Sequence, residues 1–129
     1  MKSIIIAASL LLSQVALASE VVCTSDDEGV QVRFSVPESE KVMELVRGLE
    51  LKDAQVYISD RYTLSGVEVK GQAIGGAQWD AKTEGLIGLR PVAKPTEVVV
   101  VRTGPIDSKG IAEAKFEILD NWGNGHCQF

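Results

Sequence analysis

Val30, Val32, Phe34 and Val36 alternate with Gln31, Arg33 and Ser35. That two-residue period belongs to a strand with one buried face and one wet face. The segment before it, Glu20–Ser25, is parted from it by the polar run Asp26-Asp27-Glu28-Gly29, so the two read as a hairpin. The alternation returns in Ala54–Ser59, and again in Ala112, Ala114, Phe116 and Ile118, set between Glu113, Lys115 and Glu117. Weaker strand signals cover Leu64–Val69, loosened by Gly66 and Gly71, and Glu84–Arg90. Gly75-Gly76 marks a turn or bulge before Gln78-Trp79-Asp80. Pro91 and Pro95 bracket a loop or an edge, since neither can donate to a central ladder. Thr96–Arg102 holds four consecutive valines, the pattern of an interior strand covered on both faces. Asp120–Gly125 reads as a turn leading to a last short strand, His126–Phe129.

One window carries a helical spacing. Val42, Leu45, Val46 and Leu49 fall at i, i+3, i+4 and i+7, with Ser39 placed as an N-cap and Gly48 near the end, which predicts a short helix over 39–48. The same window also reads as a bulged strand through Val42–Val46. Either way the chain is all-β in class, with seven or eight short strands separated by turn signals. It predicts an antiparallel β-sandwich or a small barrel.

The first eighteen residues follow a different logic. Lys2, the apolar run Ile4–Leu12 and the ending Ala16-Leu17-Ala18 are the charged start, apolar middle and small-residue ending of a secretory signal peptide. The run is well short of the ~20 apolar residues that span a bilayer. Met1–Ala18 is therefore read as a signal, with a single mature domain over 19–129 that is periplasmic or secreted and not inserted in the membrane. The residues before Cys23, Glu20-Val21-Val22, lack the small side chains of a lipoprotein signal.

Export changes the meaning of the two cysteines. In an oxidising compartment Cys23 and Cys127 pair, stapling the first strand to the last. Charge narrows the partners: 13 basic residues face 18 acidic ones, and a polyanion-binding surface needs the opposite sign. Nucleic acid is excluded as a partner on that ground.

Catalytic chemistry is reduced by subtraction. The sole histidine, His126, lies beside a bonded cysteine, so a Ser-His-Asp or Cys-His site has no free imidazole to draw on. A zinc site needs three or four nitrogen or sulfur ligands. A carboxylate pair for glycoside hydrolysis needs only two acids ~5–9.5 Å apart, but spacing gives none of them priority. No catalytic residue is assigned. A small binding module or inhibitor, recognising an envelope or extracellular protein or glycan through its loops, is the leading expectation. A structural envelope component and a carboxylate-based hydrolase are the alternatives.

Three features are candidates for such recognition. Trp79 and Trp122 both lie in polar, glycine-flanked stretches, and large aromatics on loops anchor partners. The loop Gly104–Gly110 offers Ile106-Asp107-Ser108-Lys109 to a target. The third depends on pairing. If the first and last strands are antiparallel with Cys23 facing Cys127, partner positions sum to 150. Asp26 then lies opposite Asn124, and Gly29 opposite Asn121. That register gathers Asp26, Asp27, Glu28, Asp120, Asn121 and Asn124 near Trp122. These are turn-forming residues and also the oxygen donors Ca²⁺ takes at ~2.3–2.6 Å.

Because small residues occupy both positions that signal peptidase inspects, exported material is expected to begin Ser19-Glu20-Val21. Intact-mass analysis checks this, and a product retaining Met1 or carrying lipid on Cys23 would contradict it.

Overall fold

The computed structural model describes residues 18–37, 45–119 and 121–129. Its eight strands are β1 (Ala18–Ser25), β2 (Val30–Pro37), β3 (Leu45–Ile58), β4 (Val69–Asp80), β5 (Gly85–Pro91), β6 (Val99–Thr103), β7 (Ile111–Ile118) and β8 (Asn121–Gln128). Each pairs with the next, and β8 returns to β1, giving a closed antiparallel barrel in simple sequence order. Closure leaves no edge strand exposed to another chain.

The period-2 pattern sets which face goes in. Val30, Val32, Phe34 and Val36 of β2 are buried, as are Ala112, Ala114, Phe116 and Ile118 of β7. The residues between them, such as Arg33, Glu113 and Lys115, face water. Apolar inside and polar outside is the reverse of a lipid-facing barrel, whose apolar band points outward. Eight strands enclose a space that side chains just fill. Trp79, Phe116 and Ile58 are among the largest fully buried groups. At the end where β4 and β8 finish, the Trp79 and Phe129 rings meet edge to face, with centroids 5.1 Å apart.

The seam between β1 and β8 carries the disulfide. Cys23 lies directly opposite Cys127, with Cα atoms 3.9 Å apart, and both are fully buried. Thr24 faces His126 and Ser25 faces Gly125, the register in which positions sum to 150.

Several elements differ from the sequence pattern, each for a local reason. The stretch Leu45–Gly48 is strand, not helix; the rest of the 39–48 window lies outside the described residues, as do residues 1–17 of the expected signal segment Met1–Ala18, whose last residue opens β1. Val46 pairs with Trp79 and Leu49 with Ala77, so β3 spends an extra residue at this point. A bulge of that kind spaces inward residues three apart and so imitates a helical period. Of the turn or bulge expected at Gly75-Gly76, the turn is absent, since β4 runs through it, while a bulge lies beside it in β3, where Leu51 pairs with Gly75 and Ala54 with Ala73. A Cβ at Gly75 would collide with the Gly88 carbonyl on the neighbouring strand, so this glycine serves close strand approach.

Leu64–Glu68 is loop, and strand begins only at Val69. The valine run is covered on one face only: Val99 and Val101 point inward, while Val98 is exposed. Asn121–Gly125 is strand paired with β7, not a turn. The chain reverses instead at the two-residue connection after Ile118, where Leu119 takes φ 55°.

The Cys23–Cys127 bond closes a loop with a sequence separation of 104. Replacing both cysteines by serine is expected to cost roughly 2–5 kcal/mol, measured by urea denaturation. A variant as stable as the parent would show that the β1–β8 hydrogen bonds close the barrel unaided.

Candidate functional site

One mouth of the barrel carries the β1–β2 turn, the β3–β4 loop, the β5–β6 loop and the β7–β8 connection. The β1–β2 turn is built around Asp27. Its Oδ1 accepts from the Ser25 hydroxyl at 2.8 Å and from the Gly29 amide at 3.0 Å. Ser25 Oγ in turn accepts the Val30 amide at 2.9 Å. The other carboxylate oxygen accepts the Tyr62 hydroxyl and lies 3.3 Å from Arg61. Tyr62 belongs to the 3-10 turn Asp60–Tyr62 of the β3–β4 loop. Its ring lies on Gly29 so closely that any side chain there would overlap it.

The Tyr62 hydroxyl is the largest influence holding the Asp27 carboxyl down, from 3.8 to about 2, followed by the Gly29 amide and the Ser25 hydroxyl. The same bond, together with burial, raises Tyr62 above its ordinary 10.0. On its far side the β3–β4 loop is tied by Glu97, a carboxylate only 2 % exposed, whose Oε1 accepts the Leu64 amide at 2.9 Å. Two acids thus strap this loop across the mouth, one from each neighbouring connection.

The acidic turn and β8 meet in part as the register implies. The Asp26 amide donates to the Asn124 carbonyl at 2.8 Å, and Asp26 Oδ1 lies 4.0 Å from His126 Nδ1. Asn121, by contrast, pairs with Ile118 across the β7–β8 hairpin, while the Gly29 carbonyl accepts the Ser59 amide. Glu28 sits at φ 60° in the turn, and Asp120 lies outside the described residues. Among the described residues, no three histidine, cysteine or acidic side chains converge as a metal would require. Both Asp27 oxygens already have protein partners.

The two tryptophans separate completely. Trp79 is 2 % exposed and points into the barrel; its glycine-rich surroundings belong to a strand, not a loop. Trp122 is 62 % exposed, on the outer face of β8 opposite Glu117. In the Gly104–Gly110 loop Asp107, Ser108 and Lys109 are exposed. Ile106 packs against the core, and the Asp107 carboxylate accepts the Ile111 and Lys109 amides at 2.9 and 2.8 Å. Those amides hold its pKa below the ordinary value.

One outward position along β8 from Trp122, at Asn124, begins a feature that sequence reading missed. A surface groove of about 540 Å³ crosses the outer face of β6, β7 and β8 next to the β1–β2 turn. Asp26, Arg102, Glu113, Lys115 and Asn124 supply its polar side chains. Asn124 lies opposite Lys115, and Arg102 is cross-strand from Lys115 on the other side. The outward alternation of β7 was readable along the chain. Its juxtaposition with Arg102 and Asn124 needed the strand pairing.

Fold and site together define a disulfide-clasped, up-and-down eight-stranded barrel with an exposed aromatic ring beside a polar groove. Comparison of the chain with protein-family models, with curated proteins and with solved structures finds no match.

The Asp27–Tyr62 bond makes a pH-dependent contribution of definite sign. Asp27 is depressed on folding, so its contribution is present above 3.8 and is lost as pH falls towards about 2. Tyr62 is raised, so its contribution is present below 10.0 and is lost as pH rises beyond it. Tyr62→Phe is expected to cost about 1 kcal/mol at neutral pH and to flatten the acid limb of the stability curve. Solvent access to the Asp27 side chain, 39 % exposed, keeps the effect modest. Chemical denaturation across the acid range, with NMR titration of the Asp27 carboxyl, measures both; a carboxyl titrating at its ordinary value in the parent would contradict this account.

Proposed function

We propose that the mature chain is an exported binding module that recognises an envelope or extracellular protein or glycan through the face bearing Trp122. The observation that carries this reading is the Trp122 ring, 62 % exposed on a barrel whose closure is covalent. A folded domain gains nothing in stability from holding a large aromatic in water. A rigid sheet that presents such a ring offers binding energy with little ordering cost. The Cys23–Cys127 bond supports an oxidising destination, in keeping with the signal-like start of the sequence. Trp79, buried against Phe129, belongs to the core and drops out of the proposed surface.

Trp122→Ala tests the reading because an exposed residue can be removed without opening the core. Wild-type and variant protein, matched for melting temperature, are immobilised and exposed to envelope extract, and retained material is read by mass spectrometry and glycan staining. The variant is expected to bind its target roughly thirtyfold more weakly, the loss associated with an anchor residue worth about 2 kcal/mol. Equal retention by both proteins would overturn the assignment of this face. Retention of insoluble wall polymer by both would favour a structural component instead.

A further inference from the structure

On β8 the side chains of Trp122, Asn124 and His126 share the outward face, since successive residues of a strand alternate and all three are exposed. Asn124 of this row lines the groove described above, so Trp122 stands one outward position along β8 from the polar trough. Neighbouring members of the row are set ~6.6–6.8 Å apart along the strand.

The chemistry of the trough is mixed and balanced. Asp26 and Glu113 bring acceptors, Arg102 and Lys115 bring donors, and the Asn124 amide brings both. Two negative charges offset two positive ones, so the lining favours neither a polyanion nor a polycation. The groups placed next to Trp122 on the sheet are polar: Glu117 lies across from it, paired with Arg102 at 3.3 Å, and Asn124 follows it along the strand. A protein anchor is normally seated among well-packed, desolvated groups. An aromatic face with hydrogen-bonding groups of both senses alongside suits a different ligand. A sugar ring offers C–H groups on one face, which meet the negative face of an indole, and hydroxyls at its rim, each both donor and acceptor.

We propose that this face binds a neutral oligosaccharide, one sugar stacked on Trp122 and the next units lying in the groove between Asp26, Glu113, Lys115 and Asn124. The inference rests on the reading of the Trp122 face as the binding surface and chooses glycan over protein as its ligand. Because groove and ring share β8, their spacing is set by the strand and needs no loop movement.

The test uses the full exported chain titrated with cellotetraose, chitotetraose and mannotetraose. Intrinsic fluorescence reports the wild type, with buried Trp79 as an unresponsive background, and calorimetry reports the variants. At least one tetrasaccharide is expected to give a saturable emission change. The heat of binding should vanish in Trp122→Ala and weaken at least tenfold in Asn124→Ala combined with Lys115→Ala, with melting temperatures unchanged. No response to any of the three sugars, or binding that survives Trp122→Ala, would overturn the proposal. An undiminished affinity in the double variant would overturn the role of the groove. If sugars fail while Trp122-dependent capture of a protein persists in the extract experiment, the glycan inference falls and the binding-face reading stands. If both fail, both fall.

Discussion

The barrel depends on one seam. Seven of its eight strand pairings join neighbours in sequence across connections of ten residues or fewer, and closing such loops costs less entropy than closing one that spans the chain. The eighth pairing brings together β1 and β8 from opposite ends of the chain. The disulfide sits on that pairing, in the position where loop-closure entropy is largest. Without closure, β1 and β8 would each present an unpaired row of backbone groups, and the inward row of apolar side chains would be open on one side.

Closure also decides what happens at the mouth. The β1–β2 turn reaches past the seam, where the Asp26 amide meets the Asn124 carbonyl, and Asp27 becomes the hub to which the β3–β4 loop is fastened. Tyr62 brings a ring over Gly29 and a hydroxyl to the carboxylate in one side chain. Its ring removes apolar surface from water, and the hydroxyl it carries inward is satisfied by the charge-assisted bond that depresses Asp27. Glu97 holds the other flank of the same loop. The loop at the mouth is thus held by hydrogen bonds to two acids together with the Tyr62 ring, which packs against the core.

The outer face is where recognition chemistry can reside, because the interior is filled. Among the described residues, the inward apolar positions of the strands form one core cluster. The outward positions of β7 and β8 are free to carry charged, amide and aromatic groups without penalty to the fold. A function placed there exploits the alternation of strands: the same period that buries Phe116 and Ile118 presents Glu117 and Trp122 to solvent.

Much of this was legible along the chain. The alternation of Val30–Val36 and of Ala112–Ile118 determined two strands and their buried faces, because the period of a strand is a local property. Two cysteines near opposite ends, after a signal-like start, determined the pairing that makes first and last strands neighbours, and with it the register Ser25 to Gly125. What the chain could not show by itself depended on partners distant in sequence. A bulge in β3 imitated helical spacing in Leu45–Leu49. Gly75 and Gly125 resembled turn residues until the strands that crowd against them were in place. Trp79 and Trp122 sat in similar polar, glycine-flanked contexts, and only the tertiary structure sent one into the core and left the other in water, because the inward or outward sense of a residue is fixed by the ladder to which its strand belongs.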